Sequence, residues 1–302
     1  MALTVTPHAT DDFWSKPENI DEYLARKLKS GSTSLVLGAG ASNGFNLPDW
    51  AGLVKTVRDQ CRAPAPTKPL RPEQEADILL QQYFSGDRIA FAKAVREGLY
   101  LPARHDKAFL LKSDLLQAIA AFLSNSLRGK GGAVVTFNFD DILETYLRLL
   151  GFVVRSETLV PAWAVNADIL VYHPHGLLPM ASEDGLTPIV FTTADFDAVV
   201  GRESEGWNRT MGSVWSTTLP VFIGLSGDDP RLRGLLESTR KLHPAAIRDQ
   251  SLYWGVRPTL RSADSHEIHT WKRLGVVPRF LDSHADLPAW LLSICQMAAN
   301  GV

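Results

Sequence analysis

The sequence contains few cysteines: Cys61 and Cys295 are the only two in 302 residues, and they lie far apart. A structural zinc site of the four-cysteine type needs closely spaced cysteine pairs, so the sequence excludes such a site. No C-x-x-C redox motif is present either. We therefore expect both thiols to be reduced and buried.

The sequence also lacks long apolar runs, basic blocks and internal repeats. Without an apolar stretch long enough for a transmembrane helix or a secretory signal, we expect a cytoplasmic protein with no membrane partner. The formal net charge is only -2. A balance this close to neutral argues against direct binding of nucleic acid.

Two signatures of phosphate binding are incomplete. An apolar strand at Ser34–Leu37 runs into the glycine turn Gly38–Ser42, but Asn43 stands where the third glycine of G-x-G-x-x-G would be. No Gly-Lys-Ser/Thr follows, so a Walker A loop is excluded. The turn could bring backbone N–H groups to a phosphate, or it could be an ordinary turn between a strand and a helix.

The order of patterns along the chain predicts the fold class. Residues 51–130 contain a proline-rich stretch and helical patterns without a convincing strand, which predicts a helical insertion after the first strand. We expect further strands at 132–137, 152–155, 169–172, 188–191, 220–224, 252–255 and 276–280. Apolar strands that alternate with helices predict an α/β, Rossmann-like fold, with a mainly parallel sheet and helices on both faces. We expect residues 1–302 to form a single domain.

Polar turns follow several of the predicted strands. Besides Gly38–Ser42, these turns are Asn138–Asp141, His173–Gly176 and Gly224–Pro230. In a parallel sheet the carboxyl ends of the strands lie at the same edge, so we expect the turns to converge there.

Each turn also has a plainer explanation. Asn138 and Asp141 could cap the helix that follows them. His173 and His175 could be ordinary loop histidines, since no H-E-x-x-H zinc motif is present. The carboxylates of Asp228 and Asp229 could simply begin a helix at Pro230.

Four groups of residues occur in a fixed order along the chain. They are Gly38–Ser42 with Leu47–Trp50, Thr136–Glu144, Tyr172–Gly176, and Phe222–Ser226 with Asp229–Leu236. Together they resemble the sirtuin-like NADase domains of bacterial anti-phage defence systems. The pattern after residue 252 is similar to the C-terminal end of that family. The resemblance implies a Rossmann-like sheet that binds NAD as substrate and cleaves the bond between nicotinamide and ribose, with no metal or other cofactor.

The resemblance also implies roles for individual residues. Asn138 would position the nicotinamide ribose or the attacking water, and His175, which precedes a glycine, would act as general base on a ribose hydroxyl. The implied binding residues are Gly38, Ala39, Gly40 and Ser42 for the pyrophosphate and adjoining ribose, Asp140 for the nicotinamide end, and Ser226 for the adenosine side.

Three functions remain open on this basis. The favoured one is an NAD-depleting effector, controlled by a partner protein or by homo-oligomerisation, since the resemblance leaves no obvious segment for a sensor. The second is a subunit that senses NAD or ADP-ribose without turnover. A deacylase or ADP-ribosyl transferase is less favoured, because sirtuin deacylases carry a four-cysteine zinc module that this sequence lacks.

Overall fold

The computed structural model describes residues 11–126, 133–160, 166–181, 189–195, 204–227, 229–241 and 253–301. The strands are β1 (Thr33–Leu37), β2 (Ala133–Thr136), β3 (Val154–Glu157), β4 (Ile169–Tyr172), β5 (Leu219–Ile223), β6 (Gly255–Leu260) and β7 (Val276–Leu281). The helices are α1 (Asp11–Trp14), α2 (Pro17–Lys29), α3 (Trp50–Gln60), α4 (Pro72–Tyr83), α5 (Arg88–Tyr100), α6 (Lys107–Leu110), α7 (Asp114–Ser126), α8 (Ile142–Leu149), α9 (Ser204–Thr217), α10 (Pro230–Lys241), α11 (Ser265–Arg273) and α12 (Asp286–Asn300).

The seven strands form one sheet in the order β3-β4-β2-β1-β5-β6-β7, and every neighbouring pair is parallel. From β1 the chain first builds the side that contains β2, β3 and β4, and then returns to build the other side from β5 onward. The order therefore reverses between β1 and β5. In open parallel sheets, ligands bind beyond the carboxyl ends of the strands at such a point.

Alternate residues of the central strands pack on opposite faces of the sheet. Leu35 and Leu37 of β1 belong to a core formed with α2, α7, α8 and α12, whereas Val36 belongs to a second core formed with α9, α10 and α11. Both faces are buried, which explains why the strand reads as a continuous apolar run. The predicted fold class is confirmed, including helices on both faces.

Between β1 and β2 the elements of the described part of the segment, which ends at residue 126, are helices, as predicted. Helices α3, α4 and α5 pack around a third apolar cluster, which also includes Leu178 and Phe191 from the chain that follows β4. Asp49 caps α3, because its Oδ1 accepts a hydrogen bond from the N–H of Gly52 at 2.7 Å. The insertion thus forms a small helical layer against the carboxyl edge of the sheet.

Some predicted boundaries need correction. Residues 189–191 are not a strand; instead the N–H of Val190 donates to the carbonyl of His175 at 2.8 Å. Strand β6 begins at Gly255, the last residue of its predicted range. The predicted positions 127–130, 132, 188, 228 and 252 lie outside the described residues.

Both cysteines are free thiols, with Cys295 buried and Cys61 only partly buried. The expectation that both thiols are buried is therefore confirmed for Cys295 and only partly for Cys61. None of the helices in the described part of the chain is both long and apolar enough to cross a membrane.

Candidate functional site

The loops after β1 and β5 are joined directly by backbone hydrogen bonds. The N–H of Gly38 donates to the carbonyl of Ile223 at 2.9 Å, and the N–H of Gly40 donates to that of Gly224 at 3.0 Å. These two N–H groups are therefore engaged within the protein. The glycine turn has the predicted position, but Gly38 and Gly40 do not direct their amides at a ligand.

Close packing explains the glycines. A Cβ atom on Gly40 would lie 2.6 Å from Cα of Gly224, and one on Gly38 would lie 2.6 Å from the carbonyl oxygen of Gly224. Gly224 itself has φ +69°, a conformation that favours glycine. The glycines thus allow two loops to meet where the strand order reverses.

Asn138 follows β2 and is oriented by its amide. Its Nδ2 donates to the carbonyl of Gly38 at 3.1 Å and to Oγ of Ser42 at 3.0 Å. With both amide hydrogens used, Oδ1 is the atom that can accept a hydrogen bond from a water or a hydroxyl group. This is the property required of a residue that orients an attacking water.

Asp140 lies behind Ser42 and is almost completely buried. Its carboxylate accepts hydrogen bonds from Oγ of Ser42 at 3.1 Å and from the N–H of Ile142 at 3.2 Å. It is therefore Asp140, not Asp141, that caps α8. Burial, and then the charge of Glu144, raises the pKa of Asp140 to about 6.

The raised pKa predicts a pH effect on stability. The stability associated with the protonated carboxyl is present below about pH 4 and is lost as the pH rises through about 6. Since one pKa unit corresponds to about 1.4 kcal/mol, the loss amounts to about 3 kcal/mol. We expect the difference in free energy of unfolding between Asp140→Asn and the wild type to shift in favour of the variant by up to this amount as the pH rises from about 4 to about 7.5. Urea unfolding measures both free energies.

Asp106→Asn is the matched control, because Asp106 is an exposed capping residue of α6. Its difference from the wild type should vary little over the same range. A difference between Asp140→Asn and the wild type that stays constant with pH would contradict the assignment.

His175 follows β4 and is held by its backbone-facing nitrogen. Nδ1 lies 3.2 Å from the carbonyl of Phe137, to which it donates, and the rings of Phe137 and Phe139 pack against the imidazole. Burial lowers the pKa of His175, which favours the neutral imidazole near pH 7. In that tautomer Nε2 carries the lone pair, so it can accept a proton.

Asp229 lies directly opposite this nitrogen. Its Oδ2 is 3.2 Å from Nε2 of His175, while its Oδ1 accepts hydrogen bonds from the N–H groups of Arg231 and Leu232 at 2.8 and 3.1 Å. The buried guanidinium of Arg231 donates to the carbonyl of Pro174 at 2.6 Å. The loops after β4 and β5 are thus joined on both sides of His175.

His173 does not face the same groups as His175. Its Nε2 lies 2.5 Å from Oε1 of Glu144, and its Nδ1 lies 3.3 Å from the carbonyl of Asn138. Burial alone would lower the pKa of His173, but the Glu144 carboxylate outweighs burial and raises it. Likewise, burial alone would raise the pKa of Glu144, but His173 lowers it. The two side chains form a buried ion pair behind the Asn138 loop.

A cavity of about 580 Å³ lies at this edge of the sheet. Its volume is in the range of sites for small molecules and cofactors. The cavity is lined by seven of the eight predicted site residues, namely Gly38, Ala39, Ser42, Asn138, Asp140, His175 and Ser226. The eighth, Gly40, packs against Gly224 instead. Asp229 and residues of the helical insertion, among them Trp50 and Arg71, complete the lining.

The insertion is anchored to the loops of the site. The hydroxyl of Tyr100 in α5 donates to the carbonyl of Leu178 at 2.8 Å, accepts a hydrogen bond from the N–H of Asp141 at 3.2 Å, and lies 3.1 Å from Oδ1 of Asp141. Arg96, one turn earlier, donates to the carbonyls of Pro179 and Met180. These contacts hold the helical layer as one wall of the cavity.

Sequence reasoning missed the partners of the predicted residues. Asp229 was interpretable as a helix cap, and it does cap α10, but its second oxygen faces His175. The signal that could have found it is its place in a turn that follows a strand. Nothing local in the sequence indicates that Glu144 pairs with His173. Among the described residues, no group of three or more histidine, cysteine or acidic side chains could hold a metal ion.

A protein-family model matches this part of the chain. No curated protein matches the chain at the level of significance that we required. The family match covers just under half of the chain, from the start of β2 into β7, and so includes Asn138, His175 and Asp229 but not the glycine turn after β1. Residues 132–278 are similar to the SIR2-like domain family.

Proposed function

We propose that this protein is an NAD⁺ hydrolase that releases nicotinamide and ADP-ribose. The match to the SIR2-like domain fits an NAD-related activity, since such domains are in general NAD-dependent enzymes. The observation that carries the proposal is the position of His175: it lines the same cavity as Asn138, its Nδ1 donates to the carbonyl of Phe137, and burial lowers its pKa, which favours a neutral imidazole with the lone pair on Nε2. Binding alone would not require a proton acceptor there.

The reaction can be written with the residues of the cavity. The bond between C1′ of the ribose and the pyridinium nitrogen breaks, both electrons go to that nitrogen, and neutral nicotinamide leaves. His175 takes the proton of a ribose hydroxyl, and the resulting oxyanion stabilises the positive charge at C1′. A water held by Asn138 then bonds to C1′ and gives a proton to the ribose oxygen, while His175 releases its own proton to solvent.

The remaining predicted residues have supporting roles in this proposal. Ala39 and Ser42 line the region proposed for the pyrophosphate and adjoining ribose, Gly38 and Gly40 allow the close approach of the two loops, and Ser226 lies on the side proposed for the adenosine. Asp140 orients Ser42, and through it Asn138, beside the nicotinamide end. The proposal includes no zinc and no cofactor besides NAD as substrate.

Asn138→Ala provides the direct test of the proposed function. We expect the wild type to release nicotinamide from NAD, and the variant to show a kcat lower by about 10²-fold with a similar affinity for NAD, because the water loses its orienting oxygen. Chromatography of nicotinamide measures turnover, and calorimetry measures binding. Asn300→Ala, which removes an exposed amide from the end of α12, is the matched control.

The outcomes separate the alternatives. Binding of NAD without release of nicotinamide by the wild type would favour a subunit that senses NAD or ADP-ribose. Equal turnover by the wild type and Asn138→Ala would remove the role proposed for Asn138.

We further propose that the hydrolase acts as an NAD-depleting effector in bacterial anti-phage defence and is activated by a protein partner or by oligomerisation. The support is the resemblance of the sequence motifs. The test compares NAD hydrolysis by the purified chain alone with hydrolysis after recovery together with the proteins that copurify from its host. Full activity of an isolated monomer would contradict control by a partner or by assembly.

A further inference from the structure

The carboxylate of Asp229 makes two different kinds of contact. Oδ1 is held by two backbone N–H groups in the first turn of α10, and this directs Oδ2 towards Nε2 of His175 at 3.2 Å. A helix cap requires only one side-chain oxygen. Capping therefore accounts for Oδ1 and leaves the position of Oδ2 unexplained.

Two atoms that can accept hydrogen bonds thus lie 3.2 Å apart, Oδ2 of Asp229 and Nε2 of His175, and both residues line the cavity. A vicinal diol presents two O–H donors at a similar separation. Carboxylates that accept hydrogen bonds from ribose hydroxyls are a recurring feature of dinucleotide sites in parallel sheets.

We propose that Asp229 is a further catalytic residue, which together with His175 binds the two hydroxyl groups of the nicotinamide ribose and stabilises the imidazolium formed when His175 takes a proton. The inference rests on the proposed hydrolysis of NAD and extends it to a residue with no assigned role. The role of Asp229 adds no bond change to the hydrolysis described above. The proton still moves from the ribose hydroxyl to Nε2 of His175, and the adjacent carboxylate balances the new positive charge.

The charges around His175 agree with this assignment. Burial lowers its pKa, the carboxylate of Asp229 raises it, and the guanidinium of Arg231 on the same helix turn lowers it again. On the side of β2, the imidazole meets the carbonyl and ring of Phe137 and the ring of Phe139, which carry no net charge. The hydrogen bond to the carbonyl of Phe137 and the carboxylate of Asp229 both raise the pKa of His175, and of these two groups Asp229 is the one that carries a charge.

Asp229→Asn separates the catalytic role from capping, because asparagine retains a capping oxygen but not the charge. We expect the variant to keep the thermal midpoint of the wild type, to lower the pKa of His175 because the carboxylate that raises it is gone, and to lower kcat for NAD by at least about 10-fold. NMR titration of the imidazole, assigned by comparison with His175→Asn, measures the pKa. The matched control is Asp87→Asn, since Asp87 caps α5 through two backbone N–H groups and is exposed.

Substrate analogues test the contact with the ribose itself. The two analogues are NAD without the 2′ hydroxyl and NAD without the 3′ hydroxyl of the nicotinamide ribose. For at least one of them, the fall in kcat/KM relative to NAD should be larger with the wild type than with Asp229→Asn. Equal losses with both proteins, or an unchanged pKa of His175 in Asp229→Asn, would overturn the proposal. The NMR titration needs no turnover, so it gives a result even if the wild type fails to hydrolyse NAD.

Discussion

His175→Asn should lower kcat for NAD hydrolysis by about 10³-fold while NAD still binds. The size of the loss is that of a general base removed from a reaction in which proton transfer is part of the transition state. Asparagine can still donate a hydrogen bond to the carbonyl of Phe137, as Nδ1 of His175 does, so the loop after β4 should keep its conformation. Nicotinamide release measures the loss, and calorimetry checks that binding is retained.

The pH profile gives a second readout of the same variant. Because burial lowers the pKa of His175, the acid limb of kcat/KM in the wild type should lie below about pH 6.5, the ordinary value for histidine. The residual activity of His175→Asn should lack that limb. His266→Asn, at an exposed position of α11, is the control and should behave as the wild type. Equal activity of His175→Asn and the wild type would exclude His175 as the base.

Glu144→Gln should destabilise the fold by about 3 kcal/mol. Its ion pair with His173 is buried, with side-chain exposures of 1% and 0%, and removing one partner of such a pair leaves the other charge uncompensated. If the imidazole becomes neutral instead, it can donate from only one nitrogen, so the ring no longer donates both to the Asn138 carbonyl and to the side chain at position 144. Urea unfolding near pH 7 measures the change, and Glu97→Gln at an exposed position of α5 should change stability by less than about 0.5 kcal/mol.

A double-mutant cycle isolates the pair. The double variant Glu144→Gln/His173→Gln should be more stable than the sum of the single effects predicts, by about 2 kcal/mol, because no buried charge remains unpaired. The pKa of Glu144 is lowered, so its contribution to stability is lost as the pH falls through its pKa in the folded state. The pKa of His173 is raised, so its contribution to stability is lost as the pH rises through its pKa in the folded state. Strict additivity near pH 7 would show that the two side chains do not stabilise each other.

The sequence was most informative where a local pattern reports the environment of the backbone. The apolar run of β1 is a consequence of burial on both faces of the sheet, and its glycines are a consequence of close contact with the loop after β5. The spacing of apolar residues over 11–30 predicts one amphipathic helix, and here this reasoning fails because the structure has two. Pro17 ends the first turn and begins a new helix, because a proline restricts the residue before it and fits the first helical position.

Strand boundaries were less predictable from the apolar pattern of the sequence. Ile189, Val190 and Phe191 have the composition of a strand, yet they lie over the loop after β4 instead of pairing in the sheet. Apolar residues indicate burial, and burial under a helical layer gives the same pattern as burial in a sheet. The contacts of Phe191 with α3 and α5 decide between the two.

The amino-acid pattern alone is enough for the α/β class, the parallel sheet, the helical insertion and the loops that carry Asn138 and His175, because periodicity and turn residues are local properties of the chain. The folded chain is needed to show that Oδ2 of Asp229 faces His175 and that Glu144 pairs with His173. These contacts depend on the order of the strands and on the directions of individual side chains. Residues far apart in the sequence become neighbours only when β4 and β5 take their places on either side of β2 and β1.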